Sequence, residues 1–255
     1  ANTLGYEEYY GRTEFNDDNE FDGFWGIWDE PFFLFTKSVL DKKKTPFLST
    51  IFTITSHEPY IIPKKYEGMF DKGDLKMHQC VGYTDFALKK FFESSKKSDW
   101  FDDTIFIFTA DHGNQTYYPF YKKMVNRFAN PLMIYKPNSN LVGVDKRLAS
   151  HMDIFPTVAD LIDYPKPFRS WGRSLISDNT TEPFVVNYFS GGYYIMDENY
   201  ICVHNGFEAI GFYELNDKNF EDNIIDQKNQ LMVDLEKKCS LFLENYFNTL
   251  MTSKN

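Results

Sequence analysis

Thr104-Ile-Phe-Ile-Phe-Thr-Ala-Asp111-His112-Gly113 is an apolar, β-branched and aromatic run that ends in an adjacent carboxylate and imidazole and then a glycine. Such a composition makes a strand, and open α/β folds place their chemistry at the carboxyl ends of core strands. Neighbouring side chains on a strand point to opposite faces. Asp111 and His112 therefore reach one centre only if the chain is already turning at Asp111. Gly113, free of a Cβ, lowers the cost of that turn.

Upstream, residues 46–55 read as a buried strand on Phe47, Leu48, Ile51, Phe52 and Ile54, running into Ser56-His57-Glu58-Pro59-Tyr60. This strand also ends in a histidine, before a proline-constrained turn. Residues 73–95 carry Leu75, Cys80, Tyr83, Phe86-Ala87 and Phe91 at helical spacing, and Ser98 to Asp103 turn the chain into the strand at 104–110. Strand, helix and strand in that order form the crossover unit of a doubly covered sheet. Downstream, 114–130 is a polar, aromatic loop or short helix, long enough for a lid, and Pro131 to Pro137 is another short strand. Ser150 caps a helix running to Asp163, with Pro156 near its start, and a loop covers 164–182.

The pattern then changes. Residues 184–189, 192–196, 200–204 and 209–213 are short strands divided by Ser-Gly-Gly, Asp-Glu-Asn and Asn-Gly turns. They read as an antiparallel meander attached to the main sheet, followed by a long helix over 223–251 that docks on it. At the other end, residues 1–10 read as a short helix end with Leu4, Tyr6 and Tyr9-Tyr10. Residues 11–24 read as an acidic loop, and 32–44 as a helix whose Lys42-Lys43-Lys44 tail suits its dipole. Between the last two lies Phe24-Trp25-Gly26-Ile27-Trp28-Asp29-Glu30-Pro31, where Trp25 and Trp28 either line a site or simply pack.

A chain of 255 residues buries a full core and fits one α/β domain. Its net charge of −10 leaves no basic stripe to neutralise a nucleic-acid backbone, yet leaves room for a small anionic substrate, because a metal inverts the local potential. Cys80, Cys202 and Cys239 lack metal spacing and allow one disulfide at most. No 18-residue apolar run and no signal peptide is visible.

Asp111 and His112 read either as ligands of a divalent cation or as a capping Asp beside a structural His. His57 reads either as a group reaching the same crevice or as a surface histidine. His151 with Asp153 is a weaker pair, and His78 and His204 read as structural. A GxSxG elbow and a glycine-rich phosphate loop are both absent.

Ser56-His57-Glu58-Pro59-Tyr60, Tyr83 to Leu88 with Phe91-Phe92, Thr104 to Gly113, Pro131 to Pro137 and Met152 to Thr157 occur in the order seen in a known family. They resemble the lipoteichoic acid synthase and phosphoglycerol transferase group of the alkaline phosphatase/sulfatase superfamily. Trp25-Gly26-Ile27-Trp28-Asp29-Glu30 resembles the WG-x-x-D-E segment of that group. The resemblance covers about residues 1–175 and implies a three-layer α/β/α sandwich, incomplete at its N-terminus, with a small antiparallel sheet and a long C-terminal helix. Residues 1–182 would be the C-terminal part of the catalytic core, with 183–255 packed on the same domain.

The resemblance further implies a metal-dependent phosphotransferase or hydrolase. Asp111 and His112 match the metal-binding pair, for Mn2+ with Zn2+ or Mg2+ as alternatives, and His57 matches a histidine on the substrate phosphate. Family members use a threonine nucleophile. That threonine and an acidic metal ligand precede, in the family, the segment with which this chain begins. The chain is therefore expected to be the C-terminal portion of a larger enzyme, partnered by the missing N-terminal part of its domain and inactive alone. The implied substrate is a phospholipid headgroup or surface glycan. The implied setting is a membrane protein, anchored through upstream segments, with this domain at the extracytoplasmic face of a bacterial cell membrane. A phosphoethanolamine transferase, a phosphatase, a sulfatase or a non-catalytic binding domain on the same fold are the alternatives.

Overall fold

The computed structural model describes residues 5–177 and 181–252. In chain order its helices and strands are α1 (Arg12–Phe15), α2 (Asp29–Leu40), α3 (Lys76–Ser95), β1 (Phe106–Thr109), α4 (Pro119–Lys122), β2 (Leu132–Tyr135), α5 (Ile154–Leu161), β3 (Val185–Phe189), β4 (Gly192–Met196), β5 (Tyr200–His204), β6 (Ala209–Glu214) and α6 (Gln230–Thr252). The fold is mixed α/β, and the expected small antiparallel sheet and long C-terminal helix are present. The residues divide into two compact units, Ala1–Ile107 with Met133–Leu141, and Phe108–Leu132 with Val142–Asn255. Of the helix end expected over 1–10, Leu4 lies outside the described residues, and 5–10 form no helix.

In the first unit α2 packs on α3. Phe33 and Leu40 meet Ala87 and Phe91, and Trp100 and Phe101 close the cluster. The buried positions of α3, Cys80, Tyr83, Ala87 and Phe91, recur every three or four residues, as one helical face requires. Helix α2 begins at Asp29, three residues before the expected start, because Asp29 and Glu30 place carboxylates in its first turn, where the helix dipole favours them. It ends at Leu40, where Lys42 N–H and Lys43 N–H turn back onto Val39 and Leu40 carbonyls, so the lysine run lies beyond the helix.

The expected buried strand at 46–55 is not one. Among the described residues it has no ladder partner, and it exposes Leu48 (77%) and Phe52 (68%). A strand exists only where a neighbour takes up its backbone groups; here Phe47 and Ile51 pack on the α2–α3 cluster, and side chains hold the rest. Tyr6 and Thr50 hydroxyls meet, and the Asp29 carboxylate accepts from the N–H groups of Ile54 (3.1 Å) and Thr55 (3.2 Å). Asp29 is 2% exposed, and its other oxygen accepts from Thr84 Oγ1 at 2.6 Å. Strand β1 is also shorter and less central than expected. It pairs with β2 alone among the described residues, and Phe106 stacks on Tyr135.

In the second unit β3-β4-β5-β6 form an antiparallel sheet in sequential order. It is a sheet of its own rather than an extension of the β1–β2 pair, which corrects the expected attachment. Ser190 and Gly191, both at positive φ (50° and 83°), make the tight turn between β3 and β4. Alternate residues of the sheet go to opposite faces. Ile195, Cys202 and Phe212 meet Met232, Leu235, Cys239 and Leu243 of α6 on one face. Tyr194 and Ile201 cover Val125 on the other. Helix α6 starts at Gln230, not Asn223, because the Asn229 side chain accepts from Met232 N–H and so caps the first turn.

The three cysteines are free and buried, and no disulfide forms. Burial pushes the Cys80 and Cys239 thiols up to about 11. The expectation of a membrane protein is corrected for this chain. Among the described residues no helix is long and apolar enough to cross a membrane. Helix α6 has the length but carries Asp234, Glu236, Lys237, Lys238 and Glu244.

His204 is fully buried; its Nδ1 accepts from Gly206 N–H at 3.0 Å and its Nε2 meets Ser240 Oγ at 3.3 Å. Burial lowers its pKa below the ordinary 6.5, against the opposing pull of Glu236 and Glu208. A base with a depressed folded pKa contributes stability above its unfolded pKa and loses it as pH falls. The urea midpoint should therefore decline as pH drops below 6.5, and decline less in His204→Asn, whose Oδ1 takes the same N–H without titrating. Asp29→Ala strands three donors, that of Thr55 buried and those of Ile54 and Thr84 half-buried, and should lower stability by about 2–4 kcal/mol in urea unfolding.

Candidate active site

The first unit holds His57, Trp25 and Trp28, and the second holds Asp111 and His112. In the second, the chain turns directly after β1, so that both polar side chains come to one side. Asp111 Oδ1 accepts from His112 N–H at 2.9 Å, and Asp111 Oδ2 lies 3.6 Å from His112 Nε2. The His112 Nδ1 faces the Gly113 carbonyl at 2.9 Å. That bond needs a proton on Nδ1, so a neutral imidazole here carries its lone pair on Nε2, beside the carboxylate. Both side chains are well exposed, His112 at 68% and Asp111 at 61%.

The turn requires glycine for a reason different from the one expected. Gly113 is not at positive φ; instead, a Cβ there would stand 2.9 Å from the Arg127 carbonyl oxygen. The segment carrying Arg127 is thus pressed against the Asp111-His112 turn. Around them opens a cavity of about 500 Å3, lined by His112, Arg127, Asn130, His151 and Asn187 as well as Asp111.

His151 reaches this cavity from the start of a short 3-10 turn, His151–Asp153, and its Nε2 meets Thr109 Oγ1 at 3.3 Å. The turn is capped by Ser150, whose Oγ accepts from Met152 N–H. Asp153 is separated from His151 in role. It is buried, accepting from Ser150 N–H at 2.8 Å and Arg173 N–H at 2.9 Å, and it anchors the Gly172-Arg173 segment. His78 and His204 are structural, with Nδ1 of His78 accepting from Asp74 and Leu75 N–H groups.

In the first unit Trp25 packs on His57, with ring centroids 4.1 Å apart and the planes tilted by 52°, and its Nε1–H donates to the Glu58 carbonyl at 2.8 Å. The tryptophan is presented by a turn gathered on Asp22 Oδ1, which accepts from the N–H groups of Phe24, Trp25 and Gly26. Trp28 is buried, edge-on to Tyr83. Next to it Glu30 is clasped by Lys90 and Tyr66. Burial alone would push the Glu30 carboxyl up, but those hydrogen bonds outweigh it and the net shift is downward.

A divalent cation takes carboxylate oxygen and neutral imidazole nitrogen as ligands, so the converging Asp111 Oδ2 and His112 Nε2 fit two positions of its shell. Among the described residues no group of three His, Cys, Asp or Glu side chains comes together to complete one. Arg127 and Asn187 carried no signal in the sequence, since one sits in a polar loop and the other on a short strand 60 residues on.

The sulfatase family model matches residues 1–164. Lipoteichoic acid synthase 1 of Bacillus subtilis is 26% identical over 193 residues, covering 68% of this chain but 30% of that protein. A protein of the alkaline phosphatase superfamily from Vibrio parahaemolyticus superposes with a TM-score of 0.74 at 24% identity, covering 96% of this chain and 60% of the other. A lipoteichoic acid synthase from Listeria monocytogenes superposes with a TM-score of 0.68 at 20% identity, covering 97% and 65%. These two likenesses are likenesses of fold. The chain spans less than a third of the length of the Bacillus relative.

Gly113→Ala should cost about 1–3 kcal/mol by forcing the Arg127 carbonyl away. The change is read from the unfolding midpoint together with displaced amide resonances at 112–114 and 126–128. Unmoved resonances at 126–128 would show that the contact does not constrain the turn.

Proposed function

Because the chain belongs to the sulfatase family, within the alkaline-phosphatase/sulfatase hydrolases, we propose that it is part of a metal-dependent phosphoglycerol transferase or sulfatase-like hydrolase. Its substrate in this reading is a phospholipid headgroup or surface glycan, met at an extracytoplasmic location. Residues 1–182 belong to the catalytic core, and 183–255 form the sheet and helix that support it. The similarity to lipoteichoic acid synthases supports phosphoryl rather than sulfuryl transfer.

The observation that carries the proposal is the convergence of Asp111 Oδ2 and His112 Nε2 at 3.6 Å, with the other imidazole nitrogen engaged by its own backbone. Asp111 and His112 would hold the cation, Mn2+ first and Zn2+ or Mg2+ as alternatives. A divalent cation, when bound, supplies Lewis-acid polarisation of a phosphoryl oxygen. The residues of this chain then have separate tasks. His112 keeps its proton on Nδ1 and its Nε2 free. Asp111 contributes the negative charge that draws a cation to that nitrogen. His57 contacts the substrate phosphate, and Trp25, packed against it and tied to Glu58, fixes the orientation of its imidazole.

Two ligands do not fill a metal shell, and the chain spans 60% of the Vibrio protein and 65% of the Listeria one. In this reading a threonine nucleophile and an acidic metal ligand come from sequence outside residues 1–255. The 255-residue chain alone should bind Mn2+ weakly and should not cleave phosphatidylglycerol or an activated phosphodiester. Robust Mn2+-dependent cleavage by the chain alone, abolished in Asp111→Ala, would overturn the outside nucleophile.

A further inference from the structure

We infer that Arg127 is the oxyanion-binding residue of the Asp111-His112 cavity, taking the non-bridging oxygens of the tetrahedral ester group on which the enzyme acts; the inference rests on the proposed function. Three observations carry it.

The first is position. Arg127 lines the cavity, and its backbone is fixed there rather than draped over it. It lies on the 3-10 turn Val125–Phe128. Val125 is 4% exposed in the core shared with Tyr194 and Ile201, and its N–H donates to the Lys218 carbonyl at 3.2 Å. Asn126 Nδ2 donates to the Phe120 carbonyl at 3.1 Å, and Phe128 packs on Phe189 and Tyr194. On the other side the turn abuts Gly113 so closely that no Cβ fits between.

The second is the state of the guanidinium. Arg12 and Arg147 pair with Asp18 and Asp145, and Arg173 donates to the Leu148 carbonyl. Among the described residues no carboxylate pairs with Arg127. In a chain of net charge −10, an arginine beside a cavity with no carboxylate partner is available to an external anion.

The third is the lining. Asp111 is the only carboxylate among the residues lining the cavity, against Arg127, His112 and His151, with Asn130 and Asn187 supplying amide donors. With a cation at Asp111 and His112 the cavity has a net positive character. A guanidinium offers a planar fork of N–H donors that matches two oxygens of a phosphate or sulfate, which a lysine ammonium does not.

The test uses the full chain with inorganic phosphate and inorganic sulfate as probes, titrated by calorimetry with and without Mn2+. Arg127→Gln should weaken binding of both anions about 10- to 100-fold. Arg127→Lys should recover part of that loss, and Arg169→Gln, an equal change of charge at another exposed arginine, should leave binding of both anions unchanged. Mn2+ binding should be unchanged in Arg127→Gln, which also shows that the variant is folded. Wild-type affinity for both anions in Arg127→Gln, or no anion binding by the wild-type chain, overturns the inference. Arg127-dependent anion binding with no Mn2+ site at Asp111 would instead sink the metal-dependent reading and leave the anion site standing. Preference for phosphate over sulfate identifies the ester as a phosphoryl group and the reverse as a sulfuryl group; either order supports the assignment of Arg127.

Discussion

Asp29 sits at the first turn of α2 with 2% exposure and gathers three donors from two other segments, Ile54 N–H, Thr55 N–H and Thr84 Oγ1. Its own N–H donates to Thr55 Oγ1. A buried carboxylate is tolerated only when its oxygens are satisfied, and here each bond also does a structural task. The segment before His57 lacks a ladder partner among the described residues, so Asp29 stands in for one and fixes where that segment ends. Glu30, one residue on, binds Lys90 and Tyr66 in the same way. The Trp25-His57 contact depends on both ends of this arrangement: the Asp22 turn places the indole, and Asp29 places the backbone three residues before the imidazole.

The second unit solves its positioning problem by burial rather than by charge. Its four-stranded sheet is covered on both faces, by α6 on one and by Val125 with its neighbours on the other. Val125 is thereby both a core residue and the foundation of the turn that carries Arg127. The close approach of that turn to Gly113 joins the hydrophobic core to the polar Asp111-His112 pair with one intervening contact. The exposed, solvated carboxylate and imidazole are thus mounted on a backbone whose position is set by tightly packed apolar groups.

Much of this was legible in the residues. The β1 run, the α3 periodicity, the four strands of the meander and the docking of α6 followed from period and turn chemistry, and the ordered motifs led to the sulfatase family. The strand expected at 46–55 failed for a simple reason. Phe47 to Ile54 has a strand's composition, but a strand is defined by its neighbour, and composition does not disclose whether one is there. The Trp25–His57 contact, the Arg127 cavity lining and the division of labour between His151 and Asp153 arise from contacts between segments far apart in sequence. Gly113 was read as easing a turn by its conformation, whereas its surroundings are what demand a glycine there.

As proposed above, Asp111 and His112 form a metal-binding pair rather than a capped turn with a surface histidine. Anomalous scattering at the manganese edge from crystals of the chain grown with Mn2+ tests it most directly. The account predicts one strong peak in contact with Asp111 Oδ2 and His112 Nε2, lost in Asp111→Ala. No peak at these two atoms at saturating Mn2+, or a peak there that survives Asp111→Ala, would contradict it.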